Sequence, residues 1–280
     1  KNIFKSWEIW VKFQQSWANS AYNTFKDYDK YLVLIFLMRE LWQSLSDKFT
    51  YQTIDEFYSQ DEHEIEKINL IQISQELHIP KETIRRKINE LQKEGILKRE
   101  KKKIFLNRSL INLQKPVKSL DSICTLFEKT SRLLQNEQWF GSYISKEEAN
   151  NFVQKYFTIC WLRFLKTQIN FLVNHRIIHK DLETWNVWGV IAINHQYHLH
   201  KIREKNIFKD NDEIDNVNYL DKLIKTVPIH GINASSISDI SGIPRATVIR
   251  KIKWLIKENL IKKNKQLEYL ASSKGRRNKL

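Results

Sequence analysis

Residues 73–97 read ISQELHIPKETIRRKINELQKEGIL, and residues 237–261 read ISDISGIPRATVIRKIKWLIKENLI. Laid over one another at an offset of 164, they share Ile73, Ser74, Ile79, Pro80, Thr83, Arg86, Lys87, Ile88, Leu91, Lys93 and Glu94, eleven of twenty-five positions. Most of the rest keep their character, as Ile84 does with Val248 and Ile96-Leu97 with Leu260-Ile261. A match of that extent at one offset marks an internal repeat. Each copy reads as the same local structure. A short apolar-periodic segment, Leu70 to Leu77, breaks at His78-Ile79-Pro80, and a longer helical pattern follows with Ile84, Ile88 and Leu91 on one face. Proline suits the first turn of a helix because the amide hydrogen it lacks would have no partner there, and Gly95 suits the helix end. Beyond it, Ile96-Leu97 and Ile104-Phe105-Leu106 flank the charged stretch Lys98 to Lys103, a hairpin pattern.

The frame around this repeat is that of a globular chain. Its 280 residues are 41% hydrophobic and 12% aromatic, enough to bury a core. Lysine and arginine number 47 against 32 acids, a net charge of +15 with a pI near 9.6. That balance suits a polyanionic partner, nucleic acid ahead of a membrane surface. Cys124 and Cys160 stand far apart in apolar surroundings, so they form neither a disulfide framework nor a CxxC motif, and a reducing cytoplasm fits best. The longest apolar run, Tyr31 to Met38, has eight residues where a membrane span needs about twenty, and the first residues lack the features of a signal peptide. No membrane partner is expected. The start on Lys1 suggests a short leader, at least a methionine, upstream.

Helix, turn, helix and then a charged hairpin is an arrangement with known relatives. Both copies resemble the winged helix-turn-helix modules of bacterial regulators, and the second, SISDISGIPRATVIRKIKWLIKENLI at 236–261, resembles the IclR-type reading head. The resemblance spans roughly 70–108 and 232–270. Two aromatic-rich helical segments, Asp29 to Trp42 and Asp181 to His195, precede the copies and would supply each module's first helix across the polar linkers Asp61 to Asn69 and Lys201 to Asn218. Trp7, Trp10, Gln14 and Trp17 share a helical face, and Glu147 to Asn174 reads as one long helix-like run. The expected fold is therefore mainly α with small β wings, two winged helix-turn-helix modules braced by Trp-rich helices. Its segments are an N-terminal helical part (1–27), a first module (28–108), a helical connector (109–180), a second module (181–270) and a basic tail (271–280). The tryptophan stripes serve as core or as a dimer face, which leaves a pseudo-dimeric monomer and a homodimer both open.

The resemblance implies that the second helix of each motif enters the major groove of duplex DNA. With Ile84 and Ile88 buried, the first copy presents Lys81, Glu82, Thr83, Arg85, Arg86 and Asn89. The equivalent face of the second carries Arg245, Ala246, Thr247, Ile249, Arg250 and Lys253. Ile249 replaces Arg85 and Ala246 replaces Glu82, so the two heads should not read the same sequence. Ile249 either touches a thymine methyl or packs on a neighbouring helix. The wing cations Lys98, Arg99, Lys101, Lys102 and Lys103, with Lys262, Lys263 and Lys265 in the second copy, would meet phosphates; the alternative is a solvated hairpin. The tail Lys274 to Lys279, with Arg276 and Arg277, would add nonspecific affinity.

Other chemistries find less support. IIHKDLETWN at 177–186 reproduces a protein-kinase catalytic-loop pattern, with Asp181 at the base position and Asn186 five residues on. The glycine-rich loop and the DFG metal site that a kinase needs are missing from the sequence, and a helix end at His179 with a new helix favoured by Asp181 explains the same residues. His175 with His179, and the cluster of His195, His198 and His200, lack a supporting carboxylate pattern and read as ordinary surface histidines. No catalytic residue, metal ligand or cofactor is assigned, the chain is read as a non-enzyme, and no residue marks a small-molecule effector. The expected function is that of a sequence-specific double-stranded DNA-binding regulator of transcription, cytoplasmic and nucleoid-associated. A plasmid-type replication initiator and a winged-helix protein-interaction or chromosome-organising protein are the alternatives.

Overall fold

Asp27 starts the helix around which the first half of the molecule is packed. Its side chain accepts a hydrogen bond from the Lys30 amide at 2.9 Å, filling one of the donor positions that a helix start leaves open. The helix that follows, α2 (Tyr28–Asp47), carries the apolar run seen in the sequence and buries Leu32, Val33, Phe36 and Leu37 almost completely. The computed structural model describes residues 2–65, 69–100, 103–107, 117–136, 138, 142–204 and 230–272. The chain forms two compact units, Lys1–Phe13 with Thr24–Asn174, and Gln14–Asn23 with His175–Leu280.

The first unit holds part of α1 (Asn2–Phe25), then α2, α3 (Ile54–Tyr58), β1 (Glu62–Ile65), α4 (Leu70–Leu77), α5 (Lys81–Lys93), β2 (Leu97–Glu100), β3 (Lys103–Asn107), α6 (Val117–Asn136), α7 (Lys146–Lys155) and most of α8 (Phe157–His179). Capping boxes open α3, through Thr53 and Glu56, and α7, through Ser145 and Glu148. The strands form one antiparallel sheet in the order β1-β3-β2, with Leu97 opposite Leu106 and Glu100 opposite Lys103. Tryptophans pack within this unit. Trp42 of α2 stacks on Trp161 of α8 at 6.2 Å and meets Phe57 of α3 at 5.7 Å, while Trp10 sits edge-on to Phe171 at 5.6 Å.

Two expectations for this unit are corrected. The run Asp61 to Asn69, expected as a linker, contains β1, which pairs with β3 from Glu62↔Asn107 to Ile65↔Ile104. His63 and Ile65 alternate into the core, and His63 stacks flat on Phe57 at 4.1 Å with its Nε2 3.0 Å from the Phe57 carbonyl. The expected single run Glu147 to Asn174 is two helices. Tyr156 leaves helical geometry at φ −111°, ψ 41° and bonds the Phe152 carbonyl, which lets Phe157 turn fully into the Trp42 cluster.

The second unit is built on α9 (Leu182–Glu204), with Gln14–Asn23 of α1, α10 (Ala234–Ser241), α11 (Arg245–Lys257) and the antiparallel pair β4 (Ile261–Lys263) and β5 (Tyr269–Ala271). Ile232 forms a single bridge to Tyr269 beside that pair. A buried amide network joins the helices: Gln15 Nε2 donates to Asn186 Oδ1 at 2.5 Å, Asn186 Nδ2 to Asn19 Oδ1 at 2.9 Å, and Asn19 Nδ2 to the Ile240 carbonyl at 3.0 Å. Gly189 makes room for it, because a Cβ there would collide with the Gln15 side-chain oxygen. The molecule is mainly helical with small antiparallel sheets. The sequence segment 1–27 is shared between the units, since α1 contributes Lys1–Phe13 to one and Gln14–Asn23 to the other. No helix among the described residues is long and apolar enough to cross a membrane.

Candidate nucleic-acid interface

The turn between α4 and α5 is fixed by short-range hydrogen bonds that the sequence encodes directly. Asn69 opens α4 by accepting from the Ile71 and Gln72 amides, and Ser74 Oγ donates to the Ile79 carbonyl at 2.7 Å across the turn. His78 takes the left-handed conformation at φ 51° and Pro80 precedes the first residue of α5. In the second unit Asn233 opens α10, Ser238 Oγ bonds the Ile243 carbonyl at 2.7 Å, and Gly242 holds φ 71°. Gly242 is confined twice, by that φ and by Asn23, whose side-chain oxygen a Cβ would strike. Helix α5 buries Ile84, Ile88 and Leu91, and α11 buries Val248, Ile252 and Leu255. A stripe of that spacing holds the helix by one side and leaves the opposite side to solvent.

Each helix is also held by a lysine on its inner side. Lys87 Nζ lies 2.6 Å from Asp27 and 2.8 Å from Glu90, and Lys251 Nζ lies 2.7 Å from Asp181 and 3.0 Å from Glu183. Burial works against the Lys87 charge, but its hydrogen bonds to Asp27 and Glu90 outweigh burial and raise its pKa. Burial likewise opposes the Asp27 and Asp181 carboxylates; the Lys87 and Lys251 bonds, with amide donors near each helix start, hold both below the usual carboxylate range. The aspartate that begins α2 or α9 thus also grips the following α5 or α11. Sequence reading missed this pair of clamps, although Lys87 and Lys251 were identical between copies and each fell among the apolar positions of its helix.

The side chains expected to meet DNA lie as follows. On α5, Lys81, Glu82, Arg85, Arg86 and Asn89 are exposed and Thr83 is half-buried. Both Glu82 oxygens bond Arg85 Nη1, at 2.9 and 2.7 Å, and Arg86 stands 3.8 Å from Glu90. On α11, Arg245, Ala246, Arg250 and Lys253 are exposed, and Thr247 and Ile249 are half-buried. Arg245 Nε donates to Ser235 Oγ at 3.1 Å.

The first hairpin is more restrained than a free basic loop. Lys98 lies 3.0 Å from both Glu62 and Glu100, and Lys103 lies 2.8 Å from Glu64. Hydrogen bonds from Glu100 and then Glu62 raise the Lys98 pKa, and Glu64 does the same for Lys103. Glu62 and Glu64 come from β1, so the strand that was expected as a linker supplies the acids. Arg99 is exposed on β2; Lys101 and Lys102 lie outside the described residues. Lys262 and Lys263 are exposed on β4, and Lys265 is exposed in the turn that follows. The tail Lys274 to Lys279 lies outside the described residues, as does the linker beyond residue 204.

Asp181, the residue of the kinase-like pattern, caps a helix instead: it accepts from the Thr184 amide and hydroxyl, both at 2.7 Å, and its other oxygen binds Lys251. Asn186 is buried in the amide network with Gln15 and Asn19. The expectation of surface histidines is corrected for His179 and His195, which are buried on α8 and α9. Among the described residues no three His, Cys, Asp or Glu side chains gather as a metal site.

Residues 63–101 match the family described as DeoR-like helix-turn-helix domain. No curated protein and no solved structure matches the chain. The matched stretch runs from His63 in β1 through α4 and α5 and past the end of β2, so it includes the strand as well as the helix pair. Such a domain supports a winged helix-turn-helix protein that binds DNA and regulates transcription.

Proposed function

We propose that this chain regulates transcription by binding double-stranded DNA sequence-specifically through two reading helices, α5 and α11, with wing cations on the phosphates. The observation that carries the reading is the DeoR-like domain whose α5 is clamped on its inner side and turns Lys81, Glu82, Arg85, Arg86 and Asn89 outward. The second head is supported by the repeat of Thr83, Arg86 and Lys87 as Thr247, Arg250 and Lys251 on a helix held by an equivalent aspartate. Arginine can donate two hydrogen bonds to guanine and asparagine can pair with adenine, each worth about 1–3 kcal/mol of discrimination. Lys81, Glu82, Thr83, Arg85, Arg86, Asn89, Arg245, Thr247, Arg250 and Lys253 face the bases in this reading, the arginines and Asn89 through such pairs. Lys98, Arg99, Lys101, Lys102, Lys103, Lys262, Lys263 and Lys265 contact phosphate, which positions the protein without reading sequence. Two heads on one chain raise the effective concentration of the second once the first is bound. Neither catalysis nor a cofactor enters this reading, and it places the protein in the cytoplasm with the nucleoid.

The test is selection of duplexes from a randomised pool across a salt series. A recovered bipartite motif, weakened by salt and lost in an Arg86→Ala, Arg250→Ala double variant, supports a two-headed reader; protection of one short half-site in a footprint counts against the second head.

A further inference from the structure

Glu82 occupies the first turn of a helix proposed to meet a polyanion, where a carboxylate gains nothing from phosphates. It is exposed, and both its oxygens hold one guanidinium nitrogen of Arg85, at 2.9 and 2.7 Å. The arrangement places an acceptor beside a donor on the outer side of α5 and leaves Nε and Nη2 of Arg85 available. In the major groove a carboxylate accepts from the cytosine amino group, and a guanidinium donates to guanine O6 and N7. Pinning Arg85 to Glu82 orients the guanidinium before DNA arrives. At the equivalent positions α11 has Ala246, exposed, and Ile249, half-buried, and the helix contains no acid between Arg245 and Lys257. Methyl-bearing side chains there can contact only one feature of a base edge, the 5-methyl group of thymine.

We infer that the two heads differ in the base pair they read at one matched place, α5 taking a G·C pair through the Glu82–Arg85 fork and α11 an A·T pair through Ala246 and Ile249, while the remaining outward residues of each helix read their own bases. This rests on α5 and α11 being recognition helices. Its consequence is polarity: a target whose halves carry G·C and A·T at that matched place is bound in a single orientation, without a partner chain to break the symmetry.

Sequencing duplexes retained by the full chain from a randomised pool tests it. The wild type should return two unlike halves. The exchange E82A with R85I should replace the G·C pair at the matched place of its half by A·T, and A246E with I249R should do the reverse, each leaving the other half as it was. These side chains lie outside the buried stripes, and a thermal melt confirms that each variant folds. On the selected duplex, uracil in place of thymine removes only the methyl group; it should weaken wild-type binding roughly three- to tenfold and weaken that of I249A clearly less. The same base pair at the matched place of both halves, an exchange that alters neither half, or equal uracil sensitivity in wild type and I249A would overturn the inference while leaving two-headed reading intact. Failure of the wild type to enrich any sequence would instead overturn the two-headed reading itself.

Discussion

Lys87 occupies a position where the helical period calls for an aliphatic side chain, between Ile84, Ile88 and Leu91. Its charge is kept because Asp27 and Glu90 answer it at 2.6 and 2.8 Å. Removing one member of such a pair leaves the other poorly solvated. Lys87→Met should therefore lower stability by about 1–3 kcal/mol, less than for a fully buried pair because water still reaches the aspartate. Asp27→Asn in the same chain should restore part of the loss, and unchanged denaturation midpoints for both variants would sink the clamp. The pH window follows from the shifts. The lowered Asp27 and Asp181 values lend stability that is complete above the usual carboxylate range and lost as pH falls through them. The raised Lys87 value lends stability that is complete below the usual lysine pKa and lost as pH rises through it. His195 behaves differently. Burial, then Lys262 and His198, push its pKa to about 4, so it stays neutral while the unfolded chain protonates near pH 6.5. Stability is thus lost as pH falls from about 6.5 to about 4, at roughly 1 kcal/mol per pH unit. Leu41 stands fourteen residues after Asp27, as His195 stands fourteen after Asp181. His195→Leu should remove only its own share of the loss in that window, because burial pushes the His175 pKa to about 4 as well; a thermal melt series giving the same slope as wild type would contradict the assignment.

At the scale of elements, β1 decides how freely the first wing can engage phosphate. Glu62 and Glu100 hold Lys98 and Glu64 holds Lys103, so a phosphate contact by both cations would displace three carboxylates, two of them from β1. Glu62→Gln with Glu64→Gln should tighten binding to a duplex of arbitrary sequence several-fold and steepen its salt dependence, while preference among sequences stays the same. A variant with unchanged salt slope would mean that this hairpin does not meet DNA. What was legible in the sequence follows from the same elements. Leu70 to Leu77 and the start of α5 could be read because Asn69, Pro80 and the apolar stripe all mark the same boundaries. β1 could not, because Glu62, His63 and Glu64 swamp an alternation that rests on His63 and Ile65 alone. The break at Tyr156 was hidden for the opposite reason: both α7 and α8 bury apolar stripes, so the helical spacing runs on across the turn. The Glu82–Arg85 fork was readable as two exposed residues, while their mutual bond needed side-chain geometry.

For the whole molecule, a net charge of +15 guarantees attraction to any polyanion and distinguishes nothing. In the proposed reading, sequence preference comes from the outer sides of α5 and α11. Each lies in its own unit, opposite a buried stripe and next to an aspartate clamp. The boundary between units escaped sequence reading because it falls inside the uninterrupted helical patterns of α1 and α8. The measurement that bears most directly on the central claim is affinity for the selected duplex and for a scrambled one, each across a salt series. It is made with the wild type and with the Arg86→Ala, Arg250→Ala double variant. Two-headed reading predicts a wild-type preference of about a thousandfold or more for the selected duplex. In the double variant that preference should collapse, leaving a salt-sensitive residue of affinity from the wings. Equal wild-type affinity for both duplexes, or a double variant with undiminished preference, would contradict it.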